Sequence, residues 1–118
     1  MKIQATKIEA GQTIKVAKIH TTEADVNRYE QKLIEYPGDV EYTQWLAEAK
    51  ANLANSILGE FGTTGKHTLE FKVLEVKEYA SYAAVSEGNR TTGWNYTLLV
   101  TDKGSYLIPN RNKVTLVD

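Results

Sequence analysis

With 118 residues, 42% of them hydrophobic and 25% charged, the chain has the length and composition of one ordinary globular domain, which excludes a disordered chain. It contains no cysteine, which excludes disulfides, thiolate metal sites and cysteine nucleophiles and suits a reducing compartment. The net charge is −1, so whole-chain electrostatics favours no particular partner. The charge is unevenly spread, however. Residues 1–20 carry four lysines and one glutamate, residues 21–62 carry three basic and eight acidic residues, and residues 63–118 carry seven basic and six acidic. The acidic middle coincides with a change of hydrophobic period, which makes it an architectural feature. No apolar run approaches the ~20 residues of a membrane span. The first residues also lack the apolar core of a signal peptide, so a cytoplasmic protein without a membrane partner is expected.

Residues 2–8 and 13–19 alternate between apolar and polar side chains, which predicts two half-buried strands, with Ala10-Gly11-Gln12 as the turn between them. The next zone is helical. Thr22 before Glu23-Ala24-Asp25 forms a capping-box-like start, and the early carboxylates complement the helix dipole. Val26, Tyr29, Leu33 and Tyr36 then make one apolar stripe. Pro37-Gly38-Asp39 stops that helix and starts another, on which Tyr42, Trp45, Leu46, Ala49, Leu53 and Ile57 share a face. Gly59 is the expected C-terminal cap, and residues 61–65 the expected loop. So short a link predicts an antiparallel helical hairpin over residues 22–60.

Strand patterns return from Thr68 onward. A phase shift at Leu74 and Val76 predicts a bulge. Further strands are expected over 79–85, 94–101, 105–108 and 113–117, with Asp102-Lys103-Gly104 as a hairpin turn. The expectation is a single α+β domain, a small barrel or roll of strands 1–20 and 66–118 with the helical hairpin inserted. The run Thr97 to Pro109 followed by Val114 resembles the end of an SH3-like barrel, where a hairpin leads through a proline-containing turn of helix to a closing strand. The resemblance spans about 40 residues. The acidic loop and paired tyrosines of peptide-binding SH3 domains are missing, so proline-peptide binding is not implied. By analogy, small cysteine-free chains of this build are accessory proteins of phages or bacteria.

No catalytic motif stands out. His20 and His67 flank the hairpin, and a metal there needs Glu23 or Glu60 as further ligands. The plainer reading is two surface histidines, with no metal and no cofactor. The carboxylate pairs Asp39 with Glu41 and Glu75 with Glu78 lie in charged segments that read as solvated faces. The segment 88–93 lacks the lysine and the following helix that a phosphate loop requires. Three function classes remain. The first is a protein-binding module using the acidic hairpin, with Glu23, Asp25, Glu30, Glu35, Asp39 and Glu41, or the aromatic face of the barrel. The second is a nucleic-acid binder using Tyr79, Tyr82, Trp94, Tyr96 and Tyr106 with Arg90, Lys103, Arg111 and Lys113, the plainer reading being that Trp94 and about half of these tyrosines fill the barrel core. The third, a small enzyme, needs a deep polar pocket holding a histidine and carboxylates. The off-stripe residues Ile34, Val40 and Leu58 are expected to pack on the barrel.

Overall fold

The computed structural model describes residues 1–80 and 95–117. Eight strands are present: β1 (Lys2–Gln4), β2 (Thr13–Val16), β3 (Lys18–Thr21), β4 (Ile57–Gly62), β5 (Leu69–Ala80), β6 (Asn95–Thr101), β7 (Gly104–Pro109) and β8 (Lys113–Val117). Between β3 and β4 stand two helices, α1 (Thr22–Glu35) and α2 (Val40–Ala54). The protein is thus α+β, with a helical hairpin inserted into a mixed sheet of order β1-β8-β2-β5-β6-β7-β4-β3. Every neighbouring pair is antiparallel except β4 with β7.

The sheet is not closed, and β1 and β3 are its two ends. Ala17 alone separates β2 from β3, yet the two strands pair with different neighbours. The switch is visible in the hydrogen bonds: the Thr68 N–H donates to the Val16 carbonyl at 3.1 Å, and the Ala17 N–H donates to the Gly62 carbonyl at 3.0 Å. The long strand β5 bends in the same way. Its first half pairs with β2 and its second half with β6. The register slips between Val73 and Glu75, where Leu74 turns to solvent, as the phase shift predicts.

Three rings fill the middle of the core. Phe61 lies 4.7 Å from Phe71 and 4.8 Å from Tyr106, between ring centroids. Ile14, Val16, Val73, Leu99, Ile108 and Val114 surround them, all fully buried. Tyr106 keeps its polar end satisfied by donating to the Lys103 carbonyl at 3.2 Å.

Three local expectations need correction. The second helix ends at Ala54, not near Gly59. Asn55 caps it, and its side-chain amide donates to the Ala51 carbonyl at 3.0 Å. Ser56 then leaves with a positive φ of 61°, and residues 57–61 continue as a strand whose alternate side chains are buried. Ile57 is therefore sheet core, and Phe61 is the centre of the core instead of a loop residue. The cap of α1 is Thr21, one residue before the expected Thr22, and it accepts from the Ala24 N–H. Thr22 is buried, and its hydroxyl donates to the Ile57 carbonyl at 2.8 Å, tying α1 to β4. The first strand also breaks early. It gives way after Gln4 to a 3₁₀ turn over Ala5–Lys7, whose Ala5 N–H donates to the Asn112 carbonyl at 2.8 Å.

Gly59 is fixed by a close approach of backbones. A Cβ there would stand 2.6 Å from the His20 carbonyl oxygen, whereas at Gly62 it would first meet the movable side chain of Lys18. Gly59→Ala is expected to lower the unfolding free energy by about 1–3 kcal/mol. Gly62→Ala is expected to stay within about 0.5 kcal/mol of the parent. Denaturant midpoints of the two variants check the contrast, and equal midpoints contradict it.

Candidate functional site, a cleft beneath the helical hairpin

The period-two geometry of β4 sends Phe61 into the core and its neighbour Glu60 to the other face. Glu60 is paired across the ladder with His20 of β3. Above these two side chains α1 and α2 lean over the sheet and leave a cavity of about 510 Å³. Tyr96 of β6 lies on the same floor. The roof carries Asp25, Arg28 and Tyr29 from α1, and Trp45 and Glu48 from α2. Helical spacing explains the roof, because positions 25, 28 and 29, or 45 and 48, fall on one face.

The polar groups are interlocked. The Arg28 guanidinium donates to Asp25 at 3.0 Å and to the Tyr29 hydroxyl at 3.1 Å, and its carbon lies 5.0 Å from the Tyr29 ring centroid. Tyr29, Tyr42 and Trp45 form a ring cluster, with centroids between 5.5 and 6.4 Å apart. On the floor the Tyr96 hydroxyl and the Glu60 carboxyl lie close enough to act on each other. Tyr79, the cross-strand neighbour of Tyr96, donates to Asn52 of α2 at 2.7 Å. Burial holds the Glu60 carboxyl above its ordinary value of 4.5, and repulsion from Asp25 adds to this. The Tyr96 hydroxyl and the nearby His20 pull the other way without cancelling it. Burial also pushes the Tyr96 and Tyr79 hydroxyls up, and neighbouring carboxylates reinforce the effect.

The residues singled out from the sequence are distributed unevenly around this cleft. Tyr96 lines it, and Tyr79 lies beside Tyr96 under the hairpin. Glu30 and Glu35 are exposed on α1, where Glu35 stands 3.6 Å from Lys32. Asp39 caps α2 by accepting from the Tyr42 N–H at 3.0 Å, and Glu41 is exposed in the first turn. Arg111 is exposed in the turn after β7, close enough to Tyr96 to act on it electrostatically. Tyr82, Arg90 and Trp94 lie outside the described residues.

The two histidines do different things. His20 faces Glu60 in the cleft. His67 is held between the Thr115 hydroxyl and the Thr63 carbonyl, each at 2.8 Å. Because a carbonyl only accepts, Nε2 of His67 is the donor to Thr63. Among the described residues no three His, Asp or Glu side chains come together as metal ligands. Glu75, one of the expected carboxylate pair, is exposed and lies 3.5 Å from Lys77. The sequence connects Glu60 to His20 only as one of two optional ligands of a metal site. What would have joined them is the alternation Ile57-x-Gly59-x-Phe61, which marks a strand and not a helix end.

Among the described residues no helix is long and apolar enough to cross a membrane. No protein-family model matches the chain, and no curated protein or solved structure matches it either.

Two outcomes follow from the cleft. The raised Glu60 carboxyl means that the folded chain holds this proton more tightly than the unfolded chain does. Glu60 therefore weakens the fold as pH rises past 4.5 and through its folded value. The thermal midpoint of Glu60→Gln, relative to the parent, is expected to climb between acid and neutral pH, and a pH-independent difference contradicts this. Tyr79→Phe leaves Asn52 without its donor and is expected to cost about 0.5–1.5 kcal/mol in chemical denaturation.

Proposed function

We propose that the chain is a non-enzymatic binding module that engages another protein through its acidic helical hairpin. The observation that carries this reading is how little of the hairpin is buried. Thr22 is the one buried residue of α1 and Ala49 the one buried residue of α2. Ile34 is 71% exposed, Val40 67% and Tyr36 56%, all at the tip, and Trp45 and Leu53 stand partly in solvent along α2. The off-stripe residues thus do not pack on the sheet as their sequence positions led one to expect; Leu58 is 44% exposed as well.

Large apolar side chains grouped in solvent mark a contact surface. Here Glu30, Glu35 and Glu41 stand around them, which selects a partner with an apolar centre and a basic rim. The sheet supports the hairpin as a scaffold. We read it as an SH3-like roll, on the strength of the β6–β7 hairpin, the turn at Pro109 and the closing strand β8. Nucleic-acid binding is the less supported reading, because Tyr79 and Tyr96 have their hydroxyls engaged under the hairpin and do not form an open stacking platform.

The test is capture on the immobilised protein in the presence of nuclease. It compares the parent with a Glu30→Lys, Glu35→Lys, Glu41→Lys variant and with an Ile34→Asp, Val40→Asp variant. A protein recovered by the parent is expected to fall at least about tenfold with each variant, the loss of a few interface anchors being worth that much. Thermal midpoints should change little, since these side chains are exposed. Capture that ignores both variants, or that disappears with nuclease, overturns the reading.

A further inference from the structure

We propose that the cleft between the hairpin and the sheet is a receptor for a guanidinium group, an arginine side chain presented by the partner that covers the hairpin. This rests on the binding-module reading and names the chemistry of its anchor.

Three features of the cleft carry it. The first is size and position: about 510 Å³ admits a long side chain, and Trp45, 40% exposed, belongs both to the cleft wall and to the apolar surface of the hairpin. A partner seated on that surface can therefore reach the cleft. The second is charge. Arg28 balances Asp25 at 3.0 Å, which leaves the Glu60 carboxylate on the floor to favour a positive group. The third is the kind of cation. A guanidinium stacks on aromatic rings and forks onto carboxylates, which an ammonium does not do. Tyr29, Trp45 and Tyr96 supply rings in the cleft. Arg28 already displays the arrangement, lying over Tyr29 while donating to Asp25.

Glu60 is the anchoring carboxylate. It sits on the floor on a sheet strand paired with β3, so its backbone is placed before anything binds. The groups facing it are His20 from β3, Asp25 and Arg28 from α1, Glu48 from α2 and Tyr96 from β6. An arriving guanidinium replaces the water that burial removed and draws Glu60 into its ionised form. Binding therefore releases a proton and tightens as pH rises above 4.5 through the range in which the buried carboxyl ionises.

The probes are N-acetyl-arginine methylamide, its citrulline analogue, which is neutral and nearly isosteric, and the lysine analogue, each titrated into the full chain and followed by NMR shifts of cleft residues. The arginine probe is expected to bind in the millimolar range, as suits a small ligand. The citrulline probe is expected to be at least about tenfold weaker and the lysine probe severalfold weaker. Glu60→Gln, which keeps the shape and removes the charge, should weaken the arginine probe about tenfold and abolish its pH dependence. Trp45→Leu serves as a second variant, with severalfold weakening expected from the lost ring. Equal binding of arginine and citrulline probes, or full binding by Glu60→Gln, overturns the proposal. The tip variant Glu30→Lys, Glu35→Lys, Glu41→Lys separates the two ideas, because those residues do not line the cleft. If it loses partner capture while Glu60→Gln keeps both capture and probe binding, the cleft proposal falls alone. If it keeps capture, the hairpin reading falls, and the probe titrations decide the cleft separately.

Discussion

Phe61, wedged between Phe71 and Tyr106, is the contact on which the rest of the molecule depends. Its ring joins three strands that are far apart in sequence, β4, β5 and β7, and it is fully buried. A strand cannot turn one side chain inward without turning its neighbours outward. Fixing Phe61 in the core therefore fixes Glu60 in the cleft, and β3 must then lie close enough to make Gly59 obligatory. The position of the acidic floor is a consequence of core packing.

The hairpin above is attached by other means. Thr22 bonds the Ile57 carbonyl, Ala49 packs at the base, and Tyr79 reaches Asn52. These contacts lie toward the sheet end of the helices, whereas the tip residues Ile34, Tyr36 and Val40 stand in solvent. Within the tip the helices are stabilised mainly by local devices: the Asp39 cap, the stacking of Tyr36 on Tyr42, and the Lys32–Glu35 pair. An exposed pair of this kind contributes little. The tip is thus the region where opening costs least and where a covering surface would add most.

Much of the architecture was legible from periodicity. The two helices, the break at Pro37-Gly38, the hairpin turn at Asp102-Lys103-Gly104 and the bulge at Leu74 all follow from spacing and turn chemistry. The failure lay at residues 55–62. Ile57 extends the helical stripe of α2 in register, and Gly59 mimics a terminal cap, so local preference and tertiary structure pointed to different ends. The sheet decided the matter, because only a strand there can complete the ladders to β3 and β7. The candidate site shared that fate. His20 and Glu60 become neighbours through β3–β4 pairing alone, and 40 positions separate them along the chain. Asp39, by contrast, was readable as a helix start and has that duty in the fold.

The acidic residues at the hairpin tip also bear on what does not happen there. An exposed apolar group such as Ile34 with Val40 is equally attractive to a second copy of the same chain. Two such tips would bring Glu30, Glu35 and Glu41 against their own images, and juxtaposed like charges oppose that contact. The same carboxylates favour a surface whose rim is basic. Specificity is a difference between affinities, and one set of charges here acts on both sides of it. In the proposed reading the apolar tip supplies adhesion, its carboxylates restrict what adheres, and the cleft behind Trp45 tests the accepted partner for a cation within reach of Glu60.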